Sequence, residues 1–425
     1  MTEAMDAHPV RLVVEDDLRR NRLTVFFRLL LAIPHFIWLF LWSILTIFAA
    51  IITWIATLAT GTPPAGLHRF MCAYVRYQVH LSAYLAIAAN PYPPFNGEEG
   101  EYPIDVKFPG PAPQSRSKTF VRIFLAVLAL LLSSAFAGTG GLRATTGKRR
   151  STGAYGGGAL TSVCGVLGWF ASVATGRMPK GLRDAGAYAV GYSAQVFAYL
   201  LFVTDRYPNS DPTAMLESVE RPPEHPVRLV GDAHDLRRSR VTVFFRILLA
   251  VPHLIWLILW GVAVFFAVIA NWFVTLFSGT PAAGLHRFLS SYLQYRLHVY
   301  AFLYLAANPF PAFDGRTGNY PLDLVLPAPG RQNRWKTGFR IVLAIPAFAV
   351  DSALNWALVV AAVLTWFASL ATGTAPWGLR NLMAYALRYD AQTNAYLLLL
   401  TDAYPHASPL EGEATVPPDA YAEAA

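Results

Sequence analysis

The sequence predicts a mainly α-helical integral membrane protein made of four structural repeats in two pairs. Composition is the first ground: 55% of the 425 residues are hydrophobic and 14% charged, where soluble domains carry about 25% charge. Long apolar runs at 29–59, 245–277 and 341–371 are the second. Each exceeds the roughly 20 helical residues that cross a bilayer. The third ground is recurrence. Trp54, Gly61 and Gly66 return as Trp169, Gly176 and Gly181, as Trp272, Gly279 and Gly284, and as Trp366, Gly373 and Gly378. Seven residues separate Trp from the first Gly and five the two glycines, and Tyr77, Tyr192, Tyr295 and Tyr389 follow eleven residues later. Matched offsets of this kind mark an array of like units.

The repeats occupy 1–95, 96–208, 209–313 and 314–405, each closing on an aromatic-Pro pair such as Tyr92-Pro93. An acidic tail, 406–425, is expected to be disordered. Each repeat opens on a short β-strand. His8–Val13 and His225–Val230 are identical, and Tyr102–Phe108 and Tyr320–Leu326 take the same place. Val10, Leu12 and Val14 alternate with Arg11, Val13 and Glu15, the period of a half-buried strand. Arg11, Asp105, Arg228 and Asp323 alternate in sign, so one small cytoplasmic sheet is expected, with these charges paired across neighbouring strands.

Next comes the apolar run. Between Arg28 and Thr60 lie 31 residues, roughly 47 Å as one helix, against a hydrocarbon core of about 30 Å. The second repeat carries 21 extra residues, a basic, glycine-rich insertion at 138–158 that belongs in water. Trp42-Ser43, Trp260-Gly261 and Asp351–Asn355 stand at the same point elsewhere. Each run is therefore expected to form a hairpin of two short apolar helices, with Pro34, Pro252 and Pro346 kinking the first. That makes about eight transmembrane crossings.

The last element is a helix mixed in character. In the first repeat it carries His68, Arg69, Arg76, Gln78 and His80 against a stripe of Tyr74, Tyr77, Leu81, Tyr84 and Leu85. The fourth repeat has Arg380, Arg388, Asp390, Gln392 and Asn394. This reads as an amphipathic interfacial helix, with a crossing that faces a wet bundle interior as the alternative. Which two of the three helical segments cross stays open. The +8 net charge gathers at segment ends, which reads as topology under the positive-inside rule and not as nucleic-acid binding. Both termini are then cytoplasmic. The polar start, 1–21, lacks the apolar core of a signal peptide. Cys72 and Cys164, both in apolar segments, build no disulfide framework or metal cage.

Phe27–His35, Thr60-Gly61 with Gly66-Leu67, and Thr204–Pro208 resemble phrases of the membrane family of unknown function numbered 4389, common in actinobacteria. The resemblance runs through nearly the whole chain in tandem. It implies a bacterial inner-membrane protein with no assigned activity, and the insertion at 138–158 departs from its pattern.

No Ser-His-Asp set, paired-carboxylate site or dinucleotide fingerprint is present, so neither an enzyme nor a cofactor is expected. Histidines recur as His35, His68, His80 and His253, His286, His298, but repeats two and four replace two of them by Arg183, Arg380 and by Gln195, Gln392. Such exchange argues against a metal or haem. Arg28, Arg122, Arg246 and Arg340 start the first helices and are candidates for snorkelling anchors or for binding lipid phosphate or another anion. Arg76, His80, Gln195, His298, Arg388 and Gln392 are the polar third-helix positions. The Trp and Gly phrase is a structural elbow, its glycines serving turns and close packing. Two functions fit: a non-catalytic membrane protein that organises lipid or scaffolds a membrane partner, a second copy of the chain included, or a channel or transporter whose polar third helices line a path between parallel repeats.

Overall fold

The computed structural model describes residues 8–137, 159–231 and 236–411. The insertion at 138–158 and most of the acidic tail, 412–425, lie outside the described residues. Two compact units divide the chain, Met1–Val219 with Ser352–Val360, and Glu220–Asp351 with Ala361–Ala425. The first holds repeats one and two, in the order β1 (Arg11–Val14), α1 (Arg22–Phe26), α2 (Arg28–Leu31), α3 (Ile33–Thr60), α4 (Ala65–Leu85), β2 (Ile104–Lys107), α5 (Arg116–Ala137), α6 (Leu160–Thr175), α7 (Lys180–Leu200) and β3 (Leu216–Glu217). Repeats three and four supply β4 (Arg228–Gly231), α8 (Arg240–Ser278), α9 (Ala283–Leu303), β5 (Leu322–Val325), α10 (Arg334–Gly338), α11 (Arg340–Thr372) and α12 (Trp377–Leu397).

The apolar runs do not fold back as hairpins. α3, α8 and α11 are single helices of 28, 39 and 33 residues, and in the second repeat α5 and α6 stand on either side of the undescribed residues 138–158. The hairpins therefore no longer support a count of about eight crossings. The reason is local. Trp42-Ser43 and Trp260-Gly261 are single weak positions in long apolar runs, and a lone Gly or Ser costs too little to break such a helix. Pro252 and Pro346 are absorbed inside α8 and α11, whereas Pro34 sits in the first turn of α3, where proline fits. Four helical stretches, Arg28–Thr60, Arg116–Ala137, Arg240–Ser278 and Arg340–Thr372, are long and apolar enough to cross a membrane.

The third helices are the core. Arg76, His80, Gln195, His298, Arg388 and Gln392 are all buried, as are Tyr77, Tyr84, Tyr188, Tyr199, Tyr295, Tyr389 and Tyr396. This overturns the interfacial reading of these helices. The long helices instead turn apolar side chains outward: Phe40, Phe48, Phe124, Phe265 and Phe266 are exposed, while α3 buries a narrow stripe of His35, Thr46, Thr53 and Thr57.

Among the described residues the strands form two sheets, not one. β1 pairs antiparallel with β2 and parallel with β3, and β4 pairs antiparallel with β5. The alternation of Val10, Leu12 and Val14 holds, and all three are buried. The cross-strand charge pairs do not form, because the register sets Arg11 opposite Lys107 and Asp105 opposite Val13. Arg11 pairs instead with Glu217 (2.6 Å) and Arg228 with Glu224.

Contacts within each unit are reciprocal. Trp54 Nε1 donates to Thr119 O (3.2 Å), and Trp169 Nε1 donates to Val25 O (3.1 Å). In the second unit Trp272 donates to Thr337 O (2.8 Å) and Trp366 to Val243 O (3.0 Å). Likewise Arg20 N–H donates to Gly176 O and Gln114 N–H to Gly61 O, as Arg238 does to Gly373 O and Gln332 to Gly279 O. The end of each long helix therefore meets the start of its partner. The two run antiparallel, related by a local two-fold, as in a self-complementary interface. The first elbow glycines end the long helices in the left-handed region, φ 83, 74, 80 and 77° for Gly61, Gly176, Gly279 and Gly373. The second glycines are not held by close packing at Gly66 and Gly284, where an added Cβ would meet nothing.

Candidate functional site: the two faces of the third helices

Each third helix ends under a guanidinium from its own repeat. Arg28 Nη1 donates to Tyr84 O (2.6 Å) and Ala89 O (3.0 Å), and Arg246 Nη1 to Phe302 O (2.7 Å) and Ala307 O (3.0 Å). Arg122 holds Tyr199 O (3.0 Å) and Arg340 holds Thr401 O (2.9 Å), and these two also pair with Asp205 (2.7 Å) and Asp402 (2.9 Å). A helix C-terminus leaves carbonyls unpartnered and carries partial negative charge, so the cation is a cap. Rings lie beneath, with Arg28 over Tyr84 at 4.2 Å and Arg246 over Phe302 at 4.4 Å. All four arginines are buried. As candidates for snorkelling anchors or for binding lipid phosphate they turn their Nη donors inward, to carbonyls and, in Arg122 and Arg340, to aspartates.

Sequence reasoning missed the residues that complete this cap. Ile87, Phe202, Leu305 and Leu399 take φ of 57, 61, 67 and 61°, a conformation that side chains rarely adopt. Their carbonyls accept from Arg20 Nε (3.0 Å), Gln114 Nε2 (2.7 Å), Arg238 Nη2 (3.2 Å) and Gln332 Nε2 (2.7 Å). The signal was there: each donor stands eight residues before its capping arginine.

One face of each third-helix pair carries the sheet. His80 Nε2 and Arg76 Nε both lie 3.1 Å from Asp105 on β2, and His298 Nε2 lies 2.6 Å from Asp323 on β5. Gln195 Nε2 donates to Val10 O (2.9 Å) and Gln392 Nε2 to Val227 O (3.1 Å), while Arg388 Nη2 donates to Ser408 O (2.6 Å). Burial pushes the Asp105 carboxyl up, but hydrogen bonds from His80 and from the Gly100 and Val106 N–H groups outweigh it and hold the carboxyl below its ordinary value. These side chains fasten the strands. His35 and His253 are equally structural, each bonded to a tyrosine hydroxyl at 2.7 Å and stacked on Phe95 or Phe313.

On the opposite helix face the two units differ. Position 296 lies two residues from both Gln294 and His298, hence on the far side of α9. There Arg296 Nη1 and Nη2 donate to Asp390 Oδ2 (2.6 Å) and Oδ1 (2.8 Å) on α12, and Asn394 Nδ2 donates to the same carboxylate (3.2 Å). Arg296 also sits 4.6 Å over the Tyr300 ring. Asp351 on α11 feels the charges of Asp390 and Arg296. The matching positions of the first unit are Gln78, Ser193 and Ser133, and Ser133 Oγ and Ser193 Oγ lie 3.1 Å apart. Beside them a half-open cavity of about 600 Å³ is walled by Phe26, Leu29, Leu85, Val166 and Trp169, with Ser82, Thr161, Ser162 and Ser193 its hydroxyls. Tyr300 stands where the first unit has Ser82. Among the described residues no three metal-ligating side chains come together.

The profile of one family, described as a domain of unknown function (DUF4389), matches the chain in four tandem copies, at residues 22–96, 157–210, 240–313 and 334–408. No curated protein and no solved structure matches it.

Proposed function

Because the chain belongs to the DUF4389 family, with four copies in tandem, and its copies pair about local two-folds, we propose that it is a non-catalytic protein of the bacterial inner membrane that lays long apolar helices along one leaflet and organises lipid there. The observation that carries this is the place of the sheet. A two-fold that exchanges antiparallel long helices is perpendicular to both. It also passes through the sheet in which the two equivalent strands pair antiparallel. If the helices crossed the bilayer, that axis would lie in the membrane plane and the sheet at mid-bilayer depth. Lys107 on β2 has a side chain 62% exposed, beside Arg11 and Glu217, and a cation at that depth costs roughly 3 kcal/mol or more. With the axis along the membrane normal the sheet stands in water and the apolar helices lie in lipid.

Length supports the same arrangement. α8, with 39 residues, is roughly 58 Å long. To fit it within about 30 Å of hydrocarbon would take a tilt of roughly 60°, beyond the range of about 0–40° seen for crossing helices. Charge agrees. Arg22 donates to Ala174 O at one end of the first unit's helix pair and Arg116 to Ala59 O at the other. Crossing helices would divide these basic linkers between both sides, against the positive-inside rule. In-plane helices keep them, and both termini, on the cytoplasmic face. A channel lined by the third helices would need Arg76, His80, Arg388 and Gln392 along water; each is buried and bonded to a strand or loop.

The test is reconstitution of the full chain into phosphatidylethanolamine and phosphatidylglycerol vesicles. Vesicle diameter is expected to fall as the protein-to-lipid ratio rises, while the membranes stay tight to ions and small solutes. Solute flux with unchanged vesicle shape would overturn the proposal in favour of a channel or transporter.

A further inference from the structure

We propose that the half-open cavity of the first unit is a binding site for one ester-linked acyl chain of a membrane phospholipid. Contacts between helices fix its walls. Trp169 Nε1, bonded to Val25 O (3.1 Å), holds α6 on α1. Gly165 brings α6 against the end of α4, where an added Cβ would stand 3.3 Å from Leu85 O. Thr161 Oγ1 donates to Phe136 O (2.9 Å) and ties α6 to α5, while the Ser133–Ser193 contact ties α5 to α7. The space so enclosed, about 600 Å³, falls within the roughly 300–1,000 Å³ of ligand pockets. A smaller cavity of about 150 Å³ shares Ser82, Leu85, Val190 and Ser193 with it and reaches Phe36 and Phe197. Together they give an extended chain room.

The lining decides what can fill that room. Among the described residues no carboxylate lines the cavity, and Arg28, its cation, already directs its Nη groups to Tyr84 O, Ala89 O and Asn90 O. A charged ligand finds no countercharge there. Water finds few of the roughly two to four polar partners that a buried molecule needs. Phe26, Leu29 and Val166 line the cavity and are exposed as well, so its mouth opens on the apolar outer surface of the unit. That surface lies in hydrocarbon under the function proposed above, on which this inference rests. A chain entering from lipid exchanges one hydrocarbon for another, so escape from water does not drive it. Packing against walls that otherwise lack partner atoms holds it instead. The Ser82 and Ser162 hydroxyls, bonded to no described residue, supply donors for the ester carbonyl. The second unit carries bulk at the same place. Tyr300 and Tyr304 replace Ser82 and Ala86, their rings are 5.8 Å apart, and Arg296 lies over Tyr300. Chain binding is therefore a property of the first unit.

The test is photolabelling of the full chain in phosphatidylethanolamine and phosphatidylglycerol vesicles, with phosphatidylglycerol carrying a diazirine at the end of one acyl chain as the probe. Val190 and Ala86 are buried cavity walls, so the carbene reaches them from inside the cavity. Mass spectrometry is expected to find label on both, besides label on the outward-facing Phe124. Ser82→Tyr copies the second unit. Ser162→Trp obstructs the mouth at an exposed position, where the fold tolerates a larger side chain. Each is expected to cut labelling of Val190 and Ala86 about tenfold, equivalent to roughly 1.4 kcal/mol of binding, with Phe124 labelled as before. Label confined to outward residues in the wild type overturns the proposal, as does undiminished labelling of Val190 and Ala86 in both variants. Inward label without vesicle remodelling keeps this site and removes the lipid-organising function; remodelling without inward label does the reverse.

Discussion

Arg28, Arg122, Arg246 and Arg340 each finish a helix other than their own, and that settles how their burial is tolerated. A guanidinium carries its donors in a fixed fork, and here the Nη groups reach carbonyls at and just beyond a helix C-terminus, joined at Arg122 and Arg340 by an aspartate. Removing Arg246 takes the side-chain donor from Ala307 O and leaves Phe302 O with only the backbone N–H of Leu305. Arg246→Met is therefore expected to destabilise the protein by about 2 kcal/mol, since an unsatisfied buried group costs about 1–3 kcal/mol. Arg246→Lys should recover little, a point charge being unable to reach both Phe302 O and Ala307 O. Chemical unfolding in detergent measures both; an Arg246→Met loss no larger than that of the exposed Arg287→Met would refute the capping role. A second prediction concerns His8, ahead of β1. Burial pushes its imidazole down to about 4 from an ordinary 6.5, against backbone hydrogen bonds that favour the cation. A depressed pKa stabilises the fold above the unfolded value and is lost as pH falls through the folded one. Acidification from pH 6.5 to 4 should thus cost up to about 3 kcal/mol. In His8→Asn, which keeps an acceptor near Val10 N–H, the slope in this window should flatten.

Elements show where sequence patterns inform and where they mislead. The offsets around Trp54, Gly61 and Tyr77 were legible because every copy must repeat the same contacts: an indole to a partner backbone, a left-handed glycine, a buried ring. The polar stripe of the third helices was misread for a physical reason. Arg76, His80 and Gln195 look alike in sequence whether they face water or a strand, because a satisfied buried polar group and a solvated one differ only in their partners. The hairpin was misread because length was weighed against bilayer thickness, while the local sequence of repeats one, three and four offers nothing strong enough to break the helix. Even the elbow separates into two unlike glycines. Gly279 has φ of 80°, so Gly279→Ala is expected to cost about 1–2 kcal/mol. Gly284 lies in the first turn of α9 with open space at its Cβ, so Gly284→Ala should stabilise by about 0.5 kcal/mol. Thermal unfolding of both variants checks the pair, and opposite signs are the expected result. Equal losses would mean that the second glycine has a packing role after all.

For the whole molecule, the decisive quantity is the direction of each local two-fold relative to the bilayer, and sidedness of labelling reads it directly. Ser239 and Thr280 flank α8 and both are exposed, roughly 58 Å apart along the helix. In a background where Cys72 and Cys164 are replaced by alanine, Ser239→Cys and Thr280→Cys are expected to react with a membrane-impermeant maleimide from the same side. In the proposed orientation, with the basic linkers towards the cytoplasm, that side is the one reached in inverted vesicles. Phe265, 62% exposed and between these two points, gives a third probe. Phe265→Cys should resist the impermeant reagent from either side and react with a lipid-soluble one, as a residue bathed in hydrocarbon does. Labelling of Ser239→Cys and Thr280→Cys from opposite sides would make α8 a crossing helix and place β4 and β5 within the bilayer. The charges of Arg228 and Glu224 beside those strands would then need a partner of their own at that depth, because an ion pair in hydrocarbon still loses several kcal/mol of hydration. Same-side labelling leaves the strands in water, the third helices beneath them, and the long helices in lipid.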